Sequence, residues 1–225
     1  MAFDPDAAIA HLQRADPALT RIIAAVGPFA MEVGREPFRA LALAILYQQL
    51  AGASARAIAS RFVAIYTSSS HLAGNDRFPT PQEIIATPEQ ELRAVGLSRQ
   101  KIAYLRDLAL KFVSGEVDPE QFPELDDEEV IQRLLAIKGI GRWTAEMFLM
   151  FSLGRPDVLP VDDLGVRKAV QLTYGLPSLP RPDELRSIAE PWRPYRSVAT
   201  WYLWQSRRLV IMETEPPVAP SSSAK

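Results

Sequence analysis

The chain of 225 residues contains no cysteine, which excludes disulfides, thiolate nucleophiles, cysteine-ligated zinc and iron–sulfur clusters together. Histidine is almost as scarce, with only His11 and His71. A histidine-rich metal site is therefore excluded, and acid–base chemistry has to rest mainly on carboxylates. Long apolar runs are missing too: the stretch from Leu41 to Leu46 is far too short to span a bilayer. The opening MAFDPDAAIA lacks a basic segment followed by an apolar one, so no secretory signal and no membrane partner are expected, and the cytoplasm is the expected compartment. Neither sign of charge dominates. A formal net charge of −2 and a pI near 5.8 argue against coating nucleic acid electrostatically, yet leave room for a local basic face.

What remains is an ordinary globular composition, 48% hydrophobic and 23% charged, enough for one substantial core or two small lobes. Helical periodicity dominates and no stretch alternates cleanly as a strand, so the expected class is all-α. Asp16-Pro17 is an N-cap followed by proline at the first helical position, and that helix stops at Gly27-Pro28. Pro37 opens PFRALALAILYQQL, apolar on nearly every face and expected to be a central buried helix. Ser54 to Tyr66 continues as an amphipathic helix that ends in the polar run Thr67 to Ser70. Thr80-Pro81 and Thr87-Pro88 repeat the cap-plus-proline signature, Ser98 caps RQKIAYLRDLALKFV, and Asp126 or Asp127 begins the next helix. Pro177 to Pro182 and Pro191 to Pro194 mark breaks. The folded core is expected over residues 1–213, with 214–225, rich in proline and serine, expected to be a disordered tail.

Residues 134–149 read LLAIKGIGRWTAEMFL: a helix end, a tight turn at Gly139-Ile140-Gly141, and a second helix from about Arg142. This is the pattern of a helix-hairpin-helix. Glycines at 139 and 141 permit backbone angles that other residues resist and keep side chains out of a ligand's way. Amides at the start of the second helix then face outward, where a phosphate can accept from them and meet the positive end of the dipole. Lys138 and Arg142 add positive charge at that point. The bland alternative is a plain helical corner with Ile140 as a core plug.

GIGRWTA, followed by Asp163 within PDVLPVDDLGVRKA, resembles the helix-hairpin-helix DNA glycosylase superfamily, and within it the 3-methyladenine DNA glycosylase II branch. ILYQQLAGASARAIASRF, GLSRQKIAYLRDLA and PWRPYRSVATWYLW resemble further helices of that branch, so the similarity runs from about Phe38 to Trp204. The residues ahead of Phe38 are too few and too helical for the separate N-terminal sheet domain that some members carry. The resemblance implies a two-lobed helical bundle with the active site in the cleft between lobes. It further implies excision of alkylated bases such as 3-methyladenine and 7-methylguanine from double-stranded DNA, by a monomer that requires no cofactor. A monovalent cation held by hairpin carbonyls is compatible with it.

The resemblance also distributes roles. Asp163 falls in the register of the aspartate that faces the lesion pocket, while Asp162 is the better cap candidate, with a one-residue ambiguity between them. A carboxylate there stabilises positive charge building on the sugar and orients or deprotonates the attacking water. Trp143 stands where related enzymes that also cut the backbone carry a lysine, which removes Schiff-base chemistry and implies a monofunctional enzyme. Its indole offers an electron-poor base stacking and cation–π attraction of about 0.5 to 2 kcal/mol. Trp204 resembles a second pocket aromatic; Trp192 and Trp201 match no pocket position. Leu50, with Gln49 as runner-up, resembles the wedge that fills the stack after base flipping. Arg193, Arg196 and Lys101 are candidates for phosphate contact. Two rival functions stay open: a noncatalytic helix-hairpin-helix clamp on DNA, and a bifunctional glycosylase/lyase for oxidised bases.

Overall fold

The computed structural model describes residues 3–67 and 77–214, and every regular element among them is helical. In chain order these are α1 (Pro5–Ala15), α2 (Pro17–Val26), α3 (Pro37–Tyr47), α4 (Gly52–Thr67), α5 (Pro81–Ala86) and α6 (Glu89–Ala94). There follow α7 (Arg99–Val113), α8 (Asp127–Leu135), α9 (Arg142–Phe148), α10 (Leu164–Tyr174), α11 (Pro182–Ile188) and α12 (Arg196–Thr214). A π-helical turn, Leu149–Leu153, extends α9. The all-α expectation holds. The serines at 68–70, His71 and the tail beyond Thr214 lie outside the described residues. No helix among the described residues is long and apolar enough to cross a membrane.

Local chemistry explains most helix starts. Proline occupies an opening position in α1, α2, α3, α5 and α11, where its missing N–H costs nothing. Asp16, Thr80, Ser98 and Asp126 cap α2, α5, α7 and α8, and Glu83 and Glu129 complete capping boxes. Thr87 does not behave as its sequence context predicts. Pro88 stands at the N-cap of α6 without a side-chain bond, and the Thr87 hydroxyl instead donates back to the Glu83 carbonyl (2.7 Å), closing α5. The Thr87 backbone N–H donates to the same carbonyl (3.0 Å), so residue 87 ends the six-residue α5 through both of its donors.

The described chain divides into two compact units, one built from the segment up to Met31 together with the segment from Pro156 onward, the other from Glu32–Arg155. In the first, α2 and α10 both pack on α12, burying Leu19, Val166, Val170 and Tyr202. Asp16, 8% exposed, ties this unit together: it caps α2 through Ala18 N–H (2.8 Å) and accepts from Trp192 Nε1 (2.8 Å) and the Tyr174 hydroxyl. In the second, α3 packs against α4, α7 and α9, and it is central as expected. Phe38, Leu41, Ile45 and Leu46 are buried, but its opposite face is not: Ala40, Ala44 and Tyr47 line a cavity of about 440 Å³ with Thr144, Met147 and Phe151.

Candidate nucleic-acid interface and active site

The turn between α8 and α9 has the hairpin geometry. Ile140 N–H donates to the Ile137 carbonyl (3.1 Å), and the Ile140 side chain is buried, so its plug role is real and coexists with the turn. The two glycines do different work. Gly139 has φ +85°, and a Cβ there would fall inside the ring of Tyr104, so both conformation and packing require glycine. Gly141 has an ordinary extended backbone, φ −98°, contrary to the expectation that both positions need unusual angles. What it supplies is room: a Cβ at Gly141 would meet nothing within 4 Å, and no side chain caps α9. An anion can therefore approach the first turn of α9 and take the capping position itself.

Most cations expected to touch phosphate already have protein partners. Arg142 donates from both terminal nitrogens to Glu128 (3.1 and 2.7 Å) and lies 3.3 Å from Glu146. That pairing, with the Gln132 amide, holds the Glu128 carboxyl well below its usual range, at about 2. Lys138 keeps an exposed ammonium 3.7 Å from Asp107, whose other oxygen accepts the Lys138 backbone N–H (2.8 Å). Lys101 is committed to structure: its ammonium donates to the Leu46 carbonyl (2.6 Å) at the end of α3, and burial lowers its pKa. Arg193 and Arg196 share Asp157, the latter through three short bonds, and Arg196 is largely buried. Four of these five cations are thus paired with carboxylates and the fifth, Lys101, with a carbonyl.

Leu50 and Gln49 lie in the turn after α3. Leu50 is half-buried rather than core, while Gln49 is exposed and, among the described residues, is the one non-glycine with positive φ, +56°. Trp143 stands on the first turn of α9, 49% exposed. It belongs to the second unit and Trp204 to the first.

In the first unit, Asp163 caps α10: its Oδ1 accepts Val166 N–H (2.7 Å). This corrects the cap expected at Asp162: that residue is exposed and has no capping role, and residue 163 takes it. Pro160 accepts the Asp163 N–H (3.0 Å), a turn that leaves residue 163, not 162, at the N-cap position. The same Oδ1 accepts from Trp204 Nε1 at 3.0 Å, so Trp204 meets the carboxylate directly. Gly165 makes this possible. A Cβ there would lie 2.8 Å from Asp163 Oδ1 and 3.2 Å from the indole, so only glycine lets the two groups close. Trp192 and Trp201 are buried and structural, as read. Among residues that sequence reasoning passed over, Tyr104 and Asp107 share a face of α7 at helical spacing, while Gly165 had as its signal only a glycine inside a helix start.

The family model for HhH-GPD superfamily base excision DNA repair proteins matches residues 42–194. The chain belongs to that superfamily. It is 38% identical over 215 residues to DNA-3-methyladenine glycosylase 1 of Schizosaccharomyces pombe, covering 93% of this chain and 90% of the relative. The structure of the S. pombe 3-methyladenine DNA glycosylase in complex with abasic DNA superposes with a TM-score of 0.76 at 38% identity, over 89% of this chain and 96% of that one. A DNA-3-methyladenine glycosidase from Bacillus halodurans gives a TM-score of 0.78 at 32% identity, over 90% and 89% of the two chains. Superfamily membership and the helical architecture are thereby both established.

Proposed function

We propose that this chain is a monofunctional DNA glycosylase that excises alkylated bases, 3-methyladenine and 7-methylguanine among them, by hydrolysing the N-glycosidic bond. The observation that carries the reading is the Asp163–Trp204 pair: a half-buried carboxylate fixed at a helix start by an amide and an indole N–H, closed together over Gly165. A carboxylate so held is preorganised toward charge that develops only in the transition state. In the reaction the bond from sugar C1′ to the base nitrogen breaks and its electron pair leaves on the base. Positive charge gathers on the sugar, and Asp163 stabilises it. Water then adds to C1′ and gives its proton to the carboxylate. A cationic methylated purine departs as a neutral molecule, which makes it a good leaving group.

The second unit supplies the grip. Gly139, Ile140 and Gly141 present the α9 start to a backbone phosphate, with Lys138 and Arg142 beside it and Lys101 as a further contact; Arg193 and Arg196 of the first unit add to these wherever DNA displaces their present partners. Gln49 and Leu50 supply the wedge; the exposed, left-handed Gln49 now has the stronger position of the two. Trp143 offers an exposed indole to an electron-poor base, and the aromatic lining of the cavity beside Thr144 supports stacking. With tryptophan at 143, no amine there can form a Schiff base. We further propose a cytoplasmic monomer whose core spans residues 1–213, working without a required cofactor. Among the described residues no group of three or more His, Asp or Glu side chains is placed to hold a metal. A monovalent cation at the hairpin would have to coexist with two carbonyls already in use, Ile137 to Ile140 N–H and Gly139 to Gln48 Nε2.

Incubation with methylated duplex DNA, followed by chromatography of released bases and borohydride trapping, tests this. Free methylated purines, an intact abasic strand and no trapped adduct are expected. Binding without release would favour the noncatalytic clamp, and a trapped covalent complex the bifunctional lyase.

A further inference from the structure

The wedge turn and the hairpin lie 91 residues apart in sequence but are joined by one side chain: Gln48 Nε2 donates to the Gly139 carbonyl at 2.7 Å. Gly139 cannot move to suit this bond, because its left-handed backbone sits against the Tyr104 ring, and Tyr104 is in turn held by Gln100 Nε2 through its hydroxyl (2.6 Å). The end of α3 that leads into the turn is pinned as well, by Lys101 Nζ on the Leu46 carbonyl (2.6 Å). Around these contacts lies a small polar cavity of about 230 Å³ lined by Gln48, Gln49, Lys101, Tyr104, Gly139 and Thr144. Both pins fall just ahead of the left-handed Gln49, and the segment Gln48–Leu50 has one weak turn bond of its own, Gln48 N–H to the Ile45 carbonyl at 3.4 Å. Its placement is therefore set by the pins before it and the start of α4 after it.

We propose that Gln48 is a positioning residue for base excision: its amide fixes the Gln49–Leu50 turn against the hairpin, so that seating a phosphate on the hairpin also sets the depth of the wedge in the stack. The proposal rests on the base-excision reading above. Its consequence is specific to substrates that need the wedge. A paired lesion must be unstacked and its place filled, whereas a lesion in a single strand is already accessible.

Gln48→Met keeps length and volume but cannot donate, and Gln48→Glu donates only while its carboxyl is protonated. Single-turnover excision is measured for wild type and both variants on one oligonucleotide carrying 7-methylguanine, paired and single-stranded, together with affinity for undamaged duplex. Gln48→Met is expected to slow excision from the duplex by about tenfold or more while single-strand excision and undamaged-duplex affinity stay within about threefold. Gln48→Glu should recover duplex excision as pH falls toward 5, relative to wild type at the same pH. Adding Gln49→Ala and Leu50→Ala to Gln48→Met should bring no loss beyond that of the wedge double variant, because Gln48 acts through that turn. Equal slowing on both substrates, additive losses, or wild-type behaviour of both variants would each overturn the proposal. If wild type releases no methylated base from either substrate, the base-excision reading fails first. Should Gln48→Met not fold, the pH profile of Gln48→Glu decides alone.

Discussion

The first unit contains the same constellation twice, with opposite surroundings. Asp16 and Asp163 each cap a helix, α2 and α10, and each accepts from a tryptophan indole, Trp192 at 2.8 Å and Trp204 at 3.0 Å. Around Asp16 the ring of donors is closed. Its Oδ1 takes Ala18 and Leu19 N–H, its Oδ2 takes Trp192 and the Tyr174 hydroxyl, and the residue is buried. Burial alone would raise its pKa, but these donors outweigh it and hold the carboxyl below its ordinary value. Asp163 also takes donors, Val166 N–H and Trp204 Nε1 on Oδ1, but the residue is only half-buried and a glycine lies beside it. A sealed carboxylate spends its charge on the fold, whereas a partly open one keeps charge to offer a reacting sugar. The tryptophan and the cap are common to both, so what sets the Asp163–Trp204 pair apart is its partial exposure and the approach that Gly165 allows.

Substitutions at the two sites should separate along this line. The largest effect is expected from Asp163→Asn. Asparagine caps as well as aspartate and keeps an Oδ1 for Val166 and Trp204, so the protein should fold normally. Excision should nevertheless slow by about a hundredfold or more, on the order of 3 kcal/mol at the transition state, in single-turnover base release. Normal excision by this variant would dissolve the contrast between the sites. Asp16→Ala should do the reverse. Loss of a cap and two stranded buried donors should cost about 3 kcal/mol in chemical denaturation, with excision per folded molecule unchanged. The lowered folded pKa adds a pH signature. The Asp16 contribution is complete above its unfolded value of 3.8 and is lost as pH falls through the lower folded value, so Asp16→Asn should flatten the acid limb of the stability curve.

Gly165→Ala sharpens the comparison, since the added Cβ would press on Asp163 Oδ1 and the Trp204 indole. Displacing the carboxylate by a few tenths of an ångström should slow excision by about tenfold with little loss of thermal stability, which steady-state kinetics and calorimetry can separate. A large fall in stability instead would make Gly165 a packing residue like those around Asp16. The smallest effect belongs to Asp162→Asn. With Asp162 exposed and outside the cap, stability should stay within about 0.5 kcal/mol of wild type and excision should be unaltered.

How much of this was legible before folding depends on the range of the interaction. The helical class, the caps at Asp16, Ser98 and Asp126, the proline starts and the hairpin glycines are local signals, because a cap or a turn is satisfied within three or four residues of itself. The candidate positions 163, 143 and 204 were reachable through resemblance. Other features were hidden. The sequence offers two adjacent aspartates before α10, and only the turn accepted by Pro160 decides that residue 163 occupies the cap. Lys101, Arg193 and Arg196 look like free surface cations in the sequence, yet each meets a partner far along the chain, at Leu46 or Asp157. Gly141 looks like a conformational glycine and proves to be a spacing one.

By itself, then, the sequence determined the absence of thiol and histidine-rich chemistry, the helical architecture, the hairpin and the absence of an amine at position 143, all of which follow from residue type and short-range spacing. Tertiary structure alone decided which carboxylate is sealed and which is open, which cations are already neutralised, and that Gln48 reaches Gly139. Those outcomes depend on hydrogen bonds between residues far apart in the chain, and no local pattern fixes which donor will arrive at which acceptor.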